Sequence, residues 1–266
     1  MNFQISDQEF GRFQRFIYEA AGISLSPAKK ALVCGRLSKR LQARHVSSFA
    51  DYFELLGSEA DRDEVQTAID LLTTNETYFF REPRHFEVLR EAAAAASRSQ
   101  PFRVWSAASS SGEEAYSMAM VLDDTLGCAG WEVLGTDIST RVLQRARTGH
   151  YLMARARHIP PGYLKRYCLK GHGTQDGTLL IERGLRNRVS FVQANLNAAL
   201  PQLGSFDVIF LRNVMIYFNA NTKRQVVARV IAQLKPGGCL CIGHSESLND
   251  ITDAVRPLAP SIYRKP

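Results

Sequence analysis

Two polar residues, Arg212 and Asn213, directly follow an apolar segment, and Tyr217 comes four positions later. The segment, residues 206–211, has five apolar residues in six, which is typical of a strand buried on both faces of a parallel sheet. Ligands of open α/β sheets bind beyond the carboxyl ends of the strands. The guanidinium, amide and phenol groups are therefore predicted to act at a pocket.

The turn after the apolar segment that begins at Phe102 is poor in glycine. It reads Ser106-Ala-Ala-Ser-Ser-Ser-Gly112, whereas a dinucleotide site needs G-x-G-x-x-G so that the backbone can approach a pyrophosphate. A cofactor with an adenosine but no phosphate, S-adenosylmethionine, would fit this turn better. Asp137 ends the next apolar segment, where it could accept hydrogen bonds from ribose hydroxyls or cap the following helix. The pattern alone leaves both interpretations open.

The elements that would position these residues lie in residues 102–266, where strand-like and helix-like segments alternate. Such alternation predicts an α/β fold, in which a parallel sheet is covered by helices. Residues 151–188 interrupt the alternation with short apolar pieces around a turn-rich loop, and are predicted to form a small antiparallel β insert. Strands are predicted at 102–107, 131–137, 189–193, 206–211 and 238–243.

The first part of the chain has a different pattern. Residues 1–72 are predicted to form a small all-α domain, because apolar residues recur at helical spacing behind capping signals such as Ser6-Asp-Gln-Glu9. Residues 73–101 carry polar groups without a clear period and are predicted to be a linker that contains a helix. The α/β domain is then predicted to span residues 102–266.

The composition is that of a soluble globular protein, with 45% hydrophobic and 22% charged residues. We find neither a membrane-spanning segment nor a signal peptide and expect a cytoplasmic protein. The five cysteines are an odd number without a C-x-x-C pair, so neither a disulfide framework nor a metal site is expected.

The net charge of +7 is concentrated in two zones. Residues 26–50 hold six Lys/Arg and residues 141–170 hold eight, and neither zone contains an acidic residue. Zones of this kind predict acidic partner surfaces. In the first zone four cations lie on one face of a predicted helix, and these are Lys29, Arg36, Arg40 and Arg44.

Several longer motifs resemble, in order and spacing, the chemotaxis receptor methyltransferases (CheR). The resemblance covers nearly the whole chain, including the helical domain and the insert. The matching motifs are Thr73-Thr-Asn-Glu-Thr-Tyr-Phe-Phe-Arg-Glu82, Val104-Trp-Ser-Ala-Ala-Ser-Ser-Ser-Gly-Glu-Glu114, Thr136-Asp-Ile138, Leu211-Arg-Asn-Val-Met-Ile-Tyr-Phe218 and Gly243-His-Ser-Glu-Ser247. The first strand-to-helix motif departs slightly, with Ala115 where the family often has Pro and Ser110 where it often has Thr.

The resemblance implies a Rossmann-like methyltransferase domain that uses S-adenosylmethionine, releases S-adenosylhomocysteine and converts receptor glutamates to methyl esters in chemotaxis or chemosensory signalling. It also implies roles for individual residues. Glu114 would face the methionine end of the cofactor, Asp137 its ribose, and Arg81 and Tyr217 the transferring methyl group. The remaining residues implied to line the cofactor site are Asn75, Thr77, Asn195, Leu196, Arg212 and Asn213, and Arg81 is implied to do so as well.

Methylation of a carboxylate would explain why no general base is evident. A glutamate side chain with a pKa of about 4.3 is already ionised at neutral pH, so catalysis would rest on positioning. Arg81 could hold that carboxylate, and Tyr217 could donate a hydrogen bond to it. The simpler alternatives are a surface ion pair for Arg81, with Glu82 or Glu87, and a core position for Tyr217.

The resemblance also implies partners. The basic face of Lys29, Arg36, Arg40 and Arg44 is expected to bind the helical bundle of a receptor, and the insert could bind a receptor's C-terminal tail peptide by strand addition. We expect a monomer that neither binds nucleic acid nor inserts into a membrane. Two other functions remain open: a non-catalytic, receptor-recruiting module that only binds S-adenosylmethionine, and a methyltransferase of another protein carboxylate.

Overall fold

The computed structural model describes residues 3–57, 62–97, 99–127 and 130–266. The chain divides into two compact units. One unit contains residues 1–74 together with residues 217–222, and the other contains residues 75–216 together with residues 223–266. Each unit is described by itself below.

The first unit is helical. Ser6 and Glu9 form the predicted capping box at its start, where the Ser6 hydroxyl accepts from Glu9 N and Glu9 Oε2 accepts from Ser6 N. The apolar faces meet in an aromatic core, in which Phe13 packs against Phe49 and Tyr52. The helices are α1 (Asp7–Ala21), α2 (Lys30–Ala43), α3 (Phe49–Gly57) and α4 (Arg62–Leu72), with a 3₁₀ turn at Pro27–Lys29 before α2.

Three of the four predicted docking cations have partners inside this unit, and two of them, Arg36 and Arg40, make hydrogen bonds there. Arg40 donates two hydrogen bonds to the buried carboxylate of Glu64, at 2.8 and 2.6 Å, and Tyr52 donates a third at 2.7 Å. Arg36 donates to the carbonyls of Leu72 and Thr73 at the end of α4, at 3.1 and 3.0 Å. These charges therefore stabilise the helical unit, because removal of one partner would leave buried polar groups unpaired.

The other cations of this region are more exposed. Arg44 lies 3.8 Å from Glu64 and is exposed, as are Lys29 and Lys39. Of the four cations predicted on one helix, Arg36 and Arg40 lie in α2, whereas Lys29 ends the 3₁₀ turn before it and Arg44 is its C-cap residue. The helical period also does not show which of these charges are already paired.

The second unit contains a seven-stranded sheet with the order β6-β2-β1-β7-β8-β10-β9. The first five strands are parallel, and β10 runs antiparallel to β8. The strands are β1 (Phe102–Ser106), β2 (Trp131–Asp137), β6 (Val189–Gln193), β7 (Phe206–Leu211), β8 (Leu234–Ile242), β9 (Arg256–Ala259) and β10 (Ile262–Arg264). The longer helices of this unit are α5 (Arg84–Ala95), α6 (Glu113–Leu126) and α7 (Thr140–Thr148), and most of α10 (Ala220–Ala232) also belongs to it.

This strand order creates a switch point between β1 and β7. From β1 the chain proceeds outward through β2 to β6, and from β7 it proceeds outward on the other side to β8. Open α/β sheets bind ligands beyond the carboxyl ends of the strands at such a switch point, here β1 and β7. The predicted α/β fold is confirmed, and Arg212 follows β7 at this point.

The predicted antiparallel insert is also present. Its three strands are β3 (His150–Leu152), β4 (Cys168–Lys170) and β5 (Thr178–Ile181), in the order β3-β5-β4, with short helices α8 (Pro161–Tyr167) and α9 (Arg183–Arg186). Two of its residues contact the turn after β1. Arg155 pairs with the buried carboxylate of Glu113, and Tyr151 donates a hydrogen bond of 2.7 Å to the Ser111 carbonyl.

Two local features differ from what the sequence predicts. Ser139 directly precedes α7, and its residue type there predicts a helix cap. Its side chain makes no capping hydrogen bond, and its backbone N donates to Asp137 instead. Strand β8 begins at Leu234, before Pro236 and Gly237, because pairing with β7 begins at that residue. Among the described residues, we find no helix long and apolar enough to span a membrane.

Candidate functional site

A buried arginine lies at the switch point. The Arg212 side chain is only 1% exposed and contacts two carboxylates, at 2.8 Å from Glu114 Oε2 and 3.1 Å from Glu82 Oε2. It also donates to the backbone carbonyl of Arg81, and Ser106 donates to the other oxygen of Glu114 at 2.7 Å. The linker, the β1–α6 region and the end of β7 thus meet around one guanidinium.

Two carboxylates of this cluster share the buried guanidinium of Arg212, and the partly exposed guanidinium of Arg81 lies 4.0 Å from one of them, Glu82. Burial alone would raise the pKa of Glu82, but the charge of Arg212 and hydrogen bonds from Asn213 and Arg212 outweigh it and lower that pKa. Burial raises the pKa of Glu114, and Arg212 only partly offsets this effect. A buried carboxylate whose pKa is raised by burial gains from a further cationic partner, and Glu114 is such a group.

Backbone strain is concentrated around the same cluster. Four residues other than glycine adopt left-handed φ angles here, and they are Phe80 (54°), Glu82 (58°), Ser110 (49°) and Asn213 (57°). Such conformations cost about 1–3 kcal/mol each and persist where the surrounding contacts enforce them, often at functional sites.

Asp137 holds the turn after β1. Its Oδ2 accepts from Ser110 N and its Oδ1 accepts from Ser139 N, both at 2.9 Å. Ser110 in turn donates its hydroxyl proton to the Asn75 carbonyl at 2.8 Å. Asp137 therefore organises both adjacent loops, and since a carboxylate has about four acceptor positions, these contacts leave a role toward ribose open.

The other residues implied to bind the cofactor have less distinctive contacts. Thr77 lies in the linker and is half-buried. Asn195 and Leu196 follow β6, where Asn195 Oδ1 accepts from Asn197 N at 2.9 Å and Leu196 is buried. Because β6 pairs with β2, this segment follows a neighbour of the strand that carries Asp137.

The two implied catalytic residues belong to different units. Arg81 is in the second unit, where its guanidinium donates to the Glu76 carbonyl at 3.3 Å and is 30% exposed. A surface ion pair with Glu82 or Glu87 was the simpler alternative for Arg81. Glu87 pairs with Arg84 instead, so the pair with Glu87 is wrong, whereas Glu82 lies 4.0 Å from Arg81 Nε. Tyr217 is in the first unit, where its carbonyl accepts from Ser24 N at 2.8 Å. Joint action of Arg81 and Tyr217 stays a prediction.

Three further residues, Glu82, His85 and His244, lie together at the site although no site role was predicted for them. His85 is completely buried, and neither ring nitrogen has a hydrogen-bond partner. The possible metal-ligand atoms of Glu82, His85 and His244 all lie within 4.8 Å of one another. The guanidinium of Arg212 lies 3.1 Å from Glu82 Oε2, and that of Arg81 lies 4.0 Å from Glu82 Oε1. Glu82 and His244 lie in the quoted motifs, but only their contacts reveal the cluster.

The strand order and its switch point are those of a Rossmann-like fold, and the family models give the class of enzyme, an S-adenosylmethionine-dependent methyltransferase. Residues 75–263 match the family model "CheR methyltransferase, SAM binding domain", and residues 8–73 match "CheR methyltransferase, all-alpha domain". The chain belongs to the CheR methyltransferase family.

Relatives at substantial identity support this assignment. The chain is 43% identical over 250 residues to a "Chemotaxis protein methyltransferase" of Escherichia coli K12, covering 93% of this chain and 87% of that protein. It is 41% identical over 262 residues to the protein of the same name from Salmonella typhimurium, covering 97% and 90%.

Among solved structures, the N-methyltransferase NodS from Bradyrhizobium japonicum is similar with a TM-score of 0.39 and 13% identity, covering 70% of this chain and 96% of that one.

His85 should make the protein less stable in mild acid. Burial lowers its pKa to about 3, helped by the nearby positive charge of Arg212. The unfolded chain therefore binds a proton near pH 6.5 that the folded protein excludes, and stability is lost as the pH falls below that value. We expect a loss of about 2 kcal/mol between pH 7 and pH 5 in denaturant unfolding.

The variant His85→Phe should remove this part of the pH dependence, because phenylalanine has no ring nitrogen to protonate. His45→Asn is the control, since His45 is exposed and asparagine tolerates its left-handed backbone. An unchanged pH dependence in His85→Phe would contradict the assignment.

Proposed function

We propose that this enzyme methylates glutamate side chains of cytoplasmic chemoreceptor domains, using S-adenosylmethionine, and that it acts in the cytoplasm as a monomer. The observation that carries the proposal is the buried cluster in which Glu82 and Glu114 share Arg212 at the switch point. Glu114, the buried carboxylate of this cluster, suits a cationic group of a ligand, and S-adenosylmethionine carries an ammonium and a sulfonium group. Membership of the CheR family supports the choice of substrate.

The residues present fit this cofactor. Glu114 would accept from its ammonium group, in line with the carboxylate's burial beside Ser106 and Arg212. Asp137 would accept from the ribose, and the turn that Asp137 holds lacks the glycines that a pyrophosphate requires. When bound, S-adenosylmethionine supplies an electrophilic methyl group.

The chain's own task is then to position an ionised glutamate. Its carboxylate needs no general base at neutral pH, so the protein must orient it and exclude water. The Arg81 guanidinium, which is partly exposed, would hold the carboxylate. Tyr217 would donate a hydrogen bond to it, which fixes the oxygen that attacks the methyl group.

A second part of the proposed function is a receptor-docking surface on the helical unit, formed by its more exposed cations. Arg36 and Arg40 hold the helical unit together, so we propose that Lys29, Lys39 and Arg44 provide the charge that attracts an acidic receptor helix.

The insert supports a second proposed contact, with a receptor tail peptide. Its edge strand β4 exposes Leu169, and a concave site of about 440 Å³ lies next to this strand. This site is lined by His150, Leu169, Lys170, Gly171, His172, Gln175, Thr178 and Leu180. An added strand would satisfy the edge of β4, and Lys170 in the lining would attract a peptide carboxylate.

The first test is methyl transfer from tritiated S-adenosylmethionine to membranes that contain receptors, followed by base treatment that releases methanol from esters. The enzyme should give base-labile label, and Tyr217→Phe should lower kcat by about 10-fold or more while cofactor affinity changes little, because one oriented donor is lost. Tyr263→Phe is the matched control on β10.

Each outcome separates the alternatives. Cofactor binding without transfer would favour the recruiting module, and label on a different protein would favour another carboxylate substrate. Equal kcat for Tyr217→Phe and the parent would remove Tyr217 from the mechanism.

Charge reversal at both Lys29 and Lys39 should lower kcat/KM for receptors by about 5-fold at low salt, and less at high salt, because exposed charges steer association. Arg256→Glu is the matched control, since this exposed arginine lies on β9 in the other unit. Cofactor affinity should not change. If the reversed and control proteins methylate receptors equally, the docking surface lies elsewhere.

Calorimetry with receptor tail peptides tests the insert. Leu169→Asp should weaken peptide binding about 10-fold or more, because the charge would disrupt an apolar contact beside β4. Leu152→Asp places the same change on the opposite edge strand, β3, and should bind normally. Equal loss in both variants, or no binding by the parent protein, would reject strand addition at β4.

A further inference from the structure

The carboxylate of Glu246, which lies after β8, accepts four backbone hydrogen bonds. Oε1 accepts from Met215 N at 2.8 Å and from Ile216 N at 3.3 Å. Oε2 accepts from Asn213 N at 2.9 Å and from Gly243 N at 2.7 Å. Three of these donors follow β7, so one side chain joins the segments beyond two neighbouring parallel strands.

The segment after β7 needs such an acceptor. The strand ends at Leu211, and the next residues turn away from the ladder, with Asn213 in a left-handed conformation at φ 57°. Backbone N–H groups that leave a ladder require another partner when they are partly buried. An ionised carboxylate supplies short, strong hydrogen bonds at this position.

The contact between the two segments is also close. A Cβ atom on Gly243 would lie 2.5 Å from Asn213 Nδ2, 3.0 Å from Asn213 N and 2.8 Å from Glu246 Oε2. A side chain at this position would therefore push the segments apart. The glycine and the carboxylate together fix where the backbone of Asn213 lies.

That backbone carries the side chains of the site. The Asn213 amide donates to Glu82 Oε1 at 3.3 Å, and the preceding residue, Arg212, donates to Glu114 Oε2 at 2.8 Å. Any shift of the segment after β7 would move both donors relative to the two carboxylates.

We propose that Glu246 is a positioning residue for methyl transfer, which acts through Asn213 and Arg212 and does not touch the reacting atoms. The inference rests on the cofactor role proposed above for Arg212 and Asn213. It assigns a function to the motif Gly243-His-Ser-Glu246, which no proposed ligand contact explains.

The test is Glu246→Gln. An amide has a single acceptor oxygen, and its NH₂ group would face two of the backbone donors, so the segment after β7 should shift. We expect kcat/KM for S-adenosylmethionine to fall about 10-fold or more, and S-adenosylhomocysteine to bind correspondingly more weakly in calorimetry, at temperatures where the variant is fully folded.

Glu9→Gln is the matched control. Glu9 also accepts from backbone donors, Ser6 N at 2.8 Å and Ala50 N at 3.0 Å, but it lies in the helical unit. This variant should lose stability and keep normal kcat/KM, whereas a purely structural role for Glu246 would give the same result at Glu246. Wild-type kinetics for Glu246→Gln would overturn the proposal.

A double-mutant cycle shows whether Glu246 acts through Asn213. Asn213→Gly keeps the left-handed backbone but removes the amide, and combining it with Glu246→Gln should give less than the sum of the two losses. Additive losses would overturn the proposed route. If Asn213→Gly alone binds cofactor normally, then the proposed role of Asn213 toward the cofactor is wrong, which is a different failure.

Discussion

The second unit depends on one buried guanidinium, that of Arg212, which two carboxylates share. Removing this charge from water is costly, and the hydrogen bonds from Arg212 to Glu114 and the Arg81 carbonyl, together with its ion pair with Glu82, offset the cost. The three acceptors lie on two separate segments, the linker and the first turn of α6. The ion pairs therefore require the linker to fold over the carboxyl ends of β1 and β7, and this requirement makes the linker part of the site.

The strained backbone has the same origin. Four left-handed residues would together destabilise the fold by several kcal/mol if nothing held them. Asn213 is held by Glu246, Ser110 by Asp137, and Glu82 by its pair with Arg212. These carboxylates therefore hold strained backbone in place in addition to balancing charge. Loss of any one of them would allow the backbone to relax at the place where the ligand is proposed to bind.

Periodicity was sufficient to predict the α/β alternation, the insert and the arrival of Arg212 at a carboxyl end, because these features depend on neighbours in sequence. The clusters were not predictable in this way. Glu82 and Arg212 meet across 130 positions, and His85 has no pattern that distinguishes it from an exposed helical histidine. Likewise, helical spacing placed Arg40 on a basic face, but only the fold shows that Glu64 already neutralises it.

The charge arrangement also constrains how an anionic substrate could enter. In the proposed reaction, the carboxylates of Glu82 and Glu114 disfavour a second anion beside them, so the substrate carboxylate would be held elsewhere. Arg81 is suited to this role, since its backbone carbonyl accepts from the buried Arg212 while its guanidinium is partly exposed. The linker residue would thus hold Arg212 on one side and the substrate on the other. In the proposed arrangement, with a cationic cofactor at Glu114 and a carboxylate at Arg81, the two reactants carry opposite charges and attract each other.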